Sequence, residues 1–176
     1  MRLRLFGLLL VAAACTLLAA AVSSASAEDP PAAKPARRTT PASALRCPLP
    51  KRYRPAFERA SRDTELPLAL LTAVARIESN LRHSARSRAG ARGFLQVLPS
   101  TAHELALDPD HAPSNVLAGA RYLRLMLDRF HSTDLALAAY NTGPTAVARA
   151  GGAPSAEILT YVANVTALWR RLHGCR

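Results

Sequence analysis

The chain has 176 residues, and its 23 Lys and Arg against 12 Asp and Glu give a formal net charge of +11. Hydrophobic residues make up 49% of the sequence, which excludes a wholly disordered polar chain and is enough for one domain with a core. Aromatic residues are only 5%, and the many alanines favour helices.

The N-terminus has the pattern of a secretory signal peptide. Arg2 and Arg4 precede an apolar run from Leu5 to Ala14, and the small residues ending at Ala27 form an Ala-x-Ala cleavage signal. The apolar run is shorter than the roughly 20 residues that a membrane-spanning helix needs, so a retained span is the less favoured alternative. We therefore predict that residues 1–27 are removed and that the protein is secreted to the periplasm or the cell wall.

Cysteine usage agrees with export. Removal of the signal peptide takes away Cys15 and leaves Cys47 and Cys175. Because an exported protein meets oxidising conditions, this pair is predicted to form a disulfide, which would stabilise the fold by about 4 kcal/mol through loop-closure entropy. Two free thiols are the alternative. Cys15 is also a candidate lipid-attachment site, although the three alanines before it resemble a lipobox only weakly.

Residues 28–46 have the composition of a disordered linker. Prolines break any helix there, and basic side chains add charge: Pro30, Pro31, Pro35 and Pro41 with Lys34, Arg37, Arg38 and Arg46. The folded domain is therefore predicted to span residues 47–176.

Helical periodicity begins near Tyr53. The spacing around Phe57 predicts a short helix, and Pro67 suits the first turn of the next helix. This second helix is predicted to run through Glu78 and to end near Asn80. Its core-facing stripe has spacing i, i+1, i+4 and i+7, at Leu70, Leu71, Val74 and Ile77.

The segment after the second helix is predicted to be a loop. Residues 82–93 contain Ser and Gly and show no apolar periodicity. Residues 93–98 are expected to form a short helical turn, and Pro99 is expected to open a helix over residues 100–107.

Three more helices follow. Ser114 is predicted to cap a helix over residues 115–131, and Asp134 to cap one over residues 135–141 that Gly143-Pro144 stops. The last helix keeps one apolar face over four turns, at Ile158, Tyr161, Val162, Val165, Leu168, Trp169 and Leu172. No segment shows sustained strand alternation. We therefore predict a single all-α domain, or an α domain with a minimal β element.

Glu78 is the candidate catalytic acid because it directly follows the apolar stripe, beside the Gly- and Ser-containing loop. Burial and the negative end of a helix dipole both raise the pKa of a carboxyl group. A carboxylic acid that stays protonated near neutral pH can protonate a glycosidic oxygen. Arg82, four residues on, would lower this pKa if the helix continued. From position alone, a surface glutamate in a fraying last turn is the stronger interpretation.

A series of motifs changes that weighting. In chain order they are Ala75-Arg76-Ile77-Glu78-Ser79-Asn80, residues 87–102, Asn115 with Gly119-Ala120 and Tyr122-Leu123, residues 137–144, and Glu157 with Tyr161-Val162. In order and spacing this series, which covers roughly residues 53–170, resembles the soluble lytic transglycosylases. These are peptidoglycan-cleaving relatives of goose-type lysozyme.

The resemblance implies a lysozyme-like fold and cleavage of the β-1,4 bond from N-acetylmuramic acid to N-acetylglucosamine without water. Glu78 would protonate the leaving oxygen and then take a proton from the muramyl 6-hydroxyl, which leaves a 1,6-anhydro end. One carboxylate suffices because the attacking hydroxyl and the participating acetamido group belong to the substrate, whereas standard glycosidases use two carboxylates. Glu104, Asp108 and Asp134 are the acids that could still approach in space.

The same resemblance implies the substrate-binding residues, which are Ser79, Gln96, Tyr140, Asn141, Glu157 and Tyr161. Ser79 and Gln96 would hydrogen-bond the acetamido groups or the peptide stem. Tyr140 would orient the catalytic carboxyl or polarise the 2-acetamido group, and Asn141 would hold the loop that carries Gln96. For Glu157 a sugar contact and a helix-start acid are equally open interpretations.

The sequence departs from the family pattern at two positions. Leu95 stands where the family usually has Met, which conserves volume but could alter a sugar subsite. Ile158 replaces the usual Thr after Glu157, which puts the role of Glu157 in doubt more than that of Glu78.

The expected partner is peptidoglycan, whose polyanionic environment suits a basic surface. Nucleic-acid binding is not expected, since the charge is scattered and the chain is exported. The five histidines lack metal-ligand spacing, so no metal or cofactor is expected. We expect a monomer that meets the membrane only through its signal peptide. The open alternatives are a hydrolytic muramidase and an inactive wall-binding or secretion-accessory domain.

Overall fold

A computed structural model describes residues 45–176, so the predicted signal peptide, Cys15 and residues 28–44 of the predicted linker lie outside the described part. Seven helices are described: α1 (Arg54–Thr64), α2 (Leu68–Ser79), α3 (Pro99–Glu104), α4 (Ala112–Phe130), α5 (Thr133–Thr142), α6 (Pro144–Ala150) and α7 (Ala156–Arg171). Two isolated β-bridges, Arg86 to Arg92 and Arg92 to Val97, lie in the loop between α2 and α3. The prediction of an all-α domain is confirmed, and the described part of the chain has no strand. None of the described helices has the length and hydrophobicity to cross a membrane.

α2 forms close to its predicted bounds, with two differences. Pro67 has extended backbone, ψ 131°, and precedes the helix instead of opening its first turn. The predicted apolar stripe is buried up to Val74, but Ile77 is 38% exposed, so the stripe was wrong at its last position. The buried face of the last turn runs through Ala75 and Ser79 instead. The end of α2 therefore presents Ile77 outward.

The start of α4 was predicted three residues too late. The helix begins at Ala112 because Pro113 occupies its first turn, where the missing N–H needs no helical partner. Ser114 consequently lies inside the helix, and its hydroxyl pairs with His111 Nδ1 at 3.0 Å rather than capping a terminus.

The predicted cap of α5 was also wrong. Ser132, not Asp134, caps the helix, and its hydroxyl accepts a hydrogen bond from the Leu135 backbone N–H. Asp134 lies in the first turn. Gly143 ends α5 as predicted, and Pro144 then opens α6, a short helix that the sequence analysis missed. Residues 93–98 form turns and a bridge, without the expected helical turn.

The hydrophobic core lies around α4, which packs against α1 and α5, while α7 packs against α2 and α5. Its largest fully buried side chains include Phe57, Phe94, Leu71, Leu123 and Leu137. The packing of α7 on α2 is the feature that matters for function, because it brings the middle of α7 to the end of α2.

A disulfide joins Cys47 to Cys175 across a sequence separation of 128 residues, as predicted. Backbone hydrogen bonds reinforce it, from Cys47 N to Arg176 O at 3.2 Å and from Arg176 N to Leu45 O at 2.9 Å. Arg54 of α1 donates to the carbonyl oxygens of both Cys47 and Arg176. In the described part of the chain this backbone pairing includes Leu45, which the prediction had assigned to the linker.

Candidate active site

Glu78 is the penultimate residue of α2, and the chain turns sharply after it. Asn80 and Leu81 both have left-handed backbone, with φ 54° and 58°. Their N–H groups bond back to Arg76 O and Ala75 O, which satisfies the last carbonyls of the helix. The helix stops at this point, so the carboxylate of Glu78 projects from its end instead of from a continuous helical face.

Two opposing influences set the protonation of Glu78. Burial raises the pKa of its carboxyl group, and a hydrogen bond from the Tyr161 hydroxyl to Glu78 Oε1, at 2.6 Å, lowers it. Burial is the larger effect, so the pKa lies above its ordinary value. Arg82 does not pair with Glu78, since its Nε donates to the Ser79 carbonyl at the end of α2. Glu78 therefore has the burial expected of a catalytic acid, and Arg82 does not form an ion pair with it.

A cleft of about 250 Å³ opens beside Glu78. Its walls come from the end of α2, the loop after it, the start of α3 and the end of α5, and they are Glu78, Ser87, Ala89, Ala91, Gln96, Val97, Leu98, Thr101, Tyr140 and Asn141. Glu78 is the one acidic residue among these. The three acids that could have approached, Glu104, Asp108 and Asp134, are exposed and lie outside the cleft.

Gln96 reaches the cleft from a strained backbone position. Its φ is +45°, a left-handed conformation that non-glycine residues adopt rarely. Its Nε2 donates to Gly93 O at 2.9 Å and Ala85 O at 3.2 Å. Because both partners are carbonyl oxygens, the amide nitrogen is occupied and the amide oxygen is left as an acceptor at the cleft.

Two side chains hold the backbone of Leu95, directly before Gln96. The Leu95 N–H donates to Asn115 Oδ1 at 3.1 Å, and the Tyr140 hydroxyl donates to Leu95 O at 2.6 Å. The Leu95 side chain is 1% exposed and packs against Gly119. The departure from Met at this position therefore falls in the core, not at a sugar subsite.

Asn115 is the site-forming residue that the sequence analysis did not assign. It is fully buried, and its Nδ2 donates to Arg92 O at 2.7 Å and Pro109 O at 3.2 Å. A Cβ on Gly93 would lie 2.5 Å from Asn115 Cγ, so the loop can approach Asn115 only with glycine there. The sequence signal that could have identified Asn115 is a polar residue on the buried face of an amphipathic helix.

Tyr140 and Asn141 both line the cleft. Burial, with smaller contributions from Glu78 and Tyr122, raises the pKa of the Tyr140 phenol well above its usual value, so the hydroxyl stays a donor. It donates to Leu95 O rather than to Glu78. Asn141 is exposed on the wall, and the loop contacts expected of it are made by Asn115.

Ser79 and Glu157 lie outside the cleft wall. The Ser79 hydroxyl is buried and donates to Phe94 O at 2.8 Å, which ties the end of α2 to the loop that carries Gln96. Glu157 is exposed in the first turn of α7, one turn before Tyr161. Among residues 45–176, no group of three or more His, Cys, Asp and Glu side chains could hold a metal ion.

A larger hollow, of about 500 Å³, lies between the first turns of α1 and α4. Within residues 45–176, no acidic residue lines it. The volume of a cavity therefore does not identify the candidate active site, because the candidate acid lies in the smaller cleft.

Comparison with known proteins agrees with this geometry. The family pattern of the transglycosylase SLT domain matches residues 55–158. A membrane-bound lytic murein transglycosylase F from Alkalilimnicola ehrlichii is 38% identical over 103 residues, which is 52% of this chain and 22% of the relative. A soluble lytic murein transglycosylase from Escherichia coli is 29% identical over 147 residues, 67% of this chain and 22% of the relative.

Solved structures give the same result. An inactive mutant of the lytic transglycosylase Slt from Pseudomonas aeruginosa aligns with a TM-score of 0.63 and 26% identity, covering 73% of this chain and 25% of the other. The 70 kDa soluble lytic transglycosylase of Escherichia coli aligns with a TM-score of 0.60 and 27% identity, covering 70% and 25%. The chain thus matches only about a quarter of the length of these larger proteins.

Proposed function

The chain belongs to the transglycosylase SLT-domain family, and from this we propose that it is an active peptidoglycan lytic transglycosylase. It cleaves the β-1,4 bond from N-acetylmuramic acid to N-acetylglucosamine without water and leaves 1,6-anhydro ends. The observation that carries the proposal is the single buried carboxylate in the cleft. Glu78 is the one acid on the described walls, and burial raises its pKa.

In the first step Glu78 acts as a general acid. Burial raises the pKa of this carboxyl and so favours its protonated form, and that proton passes to the glycosidic oxygen as the bond breaks. The Tyr161 hydroxyl, at 2.6 Å from Oε1, stabilises the carboxylate that this transfer creates.

In the second step the same carboxylate acts as a base. It takes the proton of the muramyl 6-hydroxyl, whose oxygen bonds to the anomeric carbon and closes the anhydro ring. Standard glycosidases place a second carboxylate about 5–10 Å from the first, to act as nucleophile or to activate water. No second acid lines the cleft in the described part of the chain, which favours an attacking group supplied by the substrate.

We assign the other residues by their positions. Gln96, Tyr140 and Asn141 line the cleft and bind the sugar chain, with the Gln96 amide oxygen accepting from an acetamido N–H. Ser79 is a positioning residue, because its hydroxyl is already bonded within the fold. Glu157, exposed one turn before Tyr161, is assigned to the rim.

We also propose where the protein acts and in which oligomeric state. The protein is exported through its N-terminal signal peptide and acts as a monomer on glycan strands in the periplasm or cell wall. The disulfide between Cys47 and Cys175 supports work outside the cytoplasm, where disulfides persist.

Digestion of purified sacculi tests the function. We expect the purified protein to clear sacculi and to release fragments with 1,6-anhydro ends, identified by mass spectrometry. Glu78→Gln should lower the rate on the order of 10²–10⁴-fold, since it keeps the shape but removes the transferable proton. Glu104→Gln is the matched control, because Glu104 is exposed and outside the cleft.

Each competing function predicts a different result. Reducing ends without anhydro ends would identify a hydrolytic muramidase. Sacculus binding with no cleavage by the folded wild-type protein would identify a wall-binding or secretion-accessory domain. Unchanged clearing by Glu78→Gln would remove Glu78 from the catalytic role.

A further inference from the structure

The hollow between α1 and α4 combines positive charge with apolar walls. Arg52, Arg59, His111 and Ser114 contribute the polar groups, and no acidic residue of the described part of the chain lines it. Its apolar lining consists of Tyr53, Pro55, Ala56, Ala60, Pro113 and Leu117. We refer to this hollow, about 500 Å³ in volume, as the α1–α4 groove.

The charges of the α1–α4 groove are not neutralised within the described part of the chain. Arg52 and Arg59 are exposed, and neither forms an ion pair with another described residue. The first turns of α1 and α4 contain no acidic residue. The nearby acids are already engaged, since Glu58 pairs with Arg54 and Asp110 pairs with two arginines of the α2–α3 loop.

The aromatic wall of the α1–α4 groove is fixed in place. The Tyr53 ring packs edge-on against Phe94, with centroids 4.9 Å apart, and lies 5.3 Å from the His83 ring. Phe94 is fully buried and stands two residues before Gln96 of the cleft. Tyr53 of the groove therefore contacts, through Phe94, the same loop that carries Gln96 of the cleft.

We propose that the α1–α4 groove binds peptide stems of peptidoglycan, which rests on the proposed function above. A stem carries free carboxylates together with alanine methyl groups. Arginine guanidinium groups recognise carboxylates through paired, charge-assisted hydrogen bonds. The alanine and leucine side chains of the groove suit methyl groups, and the proline and tyrosine surfaces limit the motion of a bound peptide. The protein thus holds its substrate at two places, which raises the overall affinity for the polymer.

Nuclear magnetic resonance titration of the purified protein tests the stem site. The probe is the free tetrapeptide L-Ala-γ-D-Glu-meso-diaminopimelate-D-Ala. We expect saturable shifts at residues 52–60 and 111–117. Arg59→Gln should weaken binding about tenfold, as expected for the loss of a hydrogen bond to a charged group. Arg149→Gln on α6 is the matched control, because Arg149 is exposed and lies outside the groove.

Two further probes decide the chemistry. The same peptide with amidated carboxylates should bind at least about tenfold more weakly if the arginines recognise carboxylates. Inorganic phosphate should not reproduce the shifts at Ala56 and Leu117, which report the apolar contacts. Shifts confined to Gln96 and Tyr140, equal shifts with phosphate alone, or unaltered binding by Arg59→Gln would each overturn the proposal. The titration measures binding without bond cleavage. Failure of the stem site and failure of the proposed catalytic function are therefore distinguishable, because the second is tested separately by sacculus digestion with Glu78→Gln.

Discussion

The hydroxyl of Tyr161 lies 2.6 Å from Oε1 of Glu78 and joins the middle of α7 to the end of α2. The two residues are 83 positions apart in the chain. Burial favours the neutral carboxyl of Glu78, and this hydrogen bond favours the carboxylate. An acid that must give up a proton and then recover one uses both influences, because burial favours the form that donates and the hydrogen bond favours the form that accepts.

Tyr161→Phe should change the pH dependence of cleavage. Without the hydrogen bond that favours the carboxylate, the pKa of Glu78 rises further, and the alkaline limb of the kcat/KM profile moves to higher pH. The maximal rate should fall about 10- to 100-fold, because the carboxylate formed in the first step loses a charge-assisted hydrogen bond. A pH–rate series on sacculi measures both effects. A lower rate with an unmoved alkaline limb would indicate that Tyr161 acts only on the substrate.

Glu78→Gln should stabilise the protein at neutral pH. A carboxyl whose pKa is raised in the folded state binds more protons there than in the unfolded chain, so its contribution to stability is greatest below the unfolded pKa and falls as pH rises through the folded pKa. The neutral amide avoids that loss. Thermal unfolding of both proteins at pH 4 and pH 7 should therefore show a larger Tm gain at pH 7. A gain that is larger at pH 4 would contradict the burial of this carboxyl.

Asn115→Ala should destabilise the fold by about 2–4 kcal/mol, because it leaves the buried Leu95 N–H and the Arg92 and Pro109 carbonyls without their partner. Urea unfolding measures the loss, and a weaker affinity for the substrate should accompany it as Gln96 loses its support. Asn164→Ala is the matched control, since Asn164 is exposed on α7. Equal effects of both substitutions would show that Asn115 has no special role.

Replacement of both Cys47 and Cys175 by alanine should lower the free energy of unfolding by roughly 2–5 kcal/mol, as for disulfides that close long loops. Denaturant unfolding with and without reductant provides the measurement. Reductant should destabilise the wild-type protein by a similar amount and leave the double variant unchanged. A wild-type protein indifferent to reductant would mean that the thiols are free in solution.

The sequence was sufficient for elements whose signals are local. The apolar stripe of α2 from Leu70 to Val74 follows from side-chain spacing, and the helix ends near Asn80, where the apolar periodicity stops. Helix caps were not local in this sense, since Ser114 and Asp134 are good capping residue types but neither caps its helix. Their roles are decided by where Pro113 and the chain after α4 allow each helix to begin.

The site was predictable only in part, because its contacts join distant segments. The resemblance pointed to Glu78, Gln96 and Tyr140, and all three line the cleft. It did not reveal that Tyr161 contacts Glu78 directly or that Asn115 supports the loop. Such pairings depend on how α7 and α4 pack, and a one-dimensional pattern does not record them.

The left-handed backbone of Gln96 restricts what can replace it. Glycine would relax the φ of +45°, but it has no amide to bond Gly93 O and Ala85 O. Asparagine tolerates that backbone, yet its side chain is one methylene too short for the same reach. Glutamate has the length but has no N–H to offer the two carbonyls. We therefore expect a saturation library at position 96, selected for function, to return glutamine. The replacement must tolerate a left-handed backbone and must also carry an N–H long enough to reach both carbonyls.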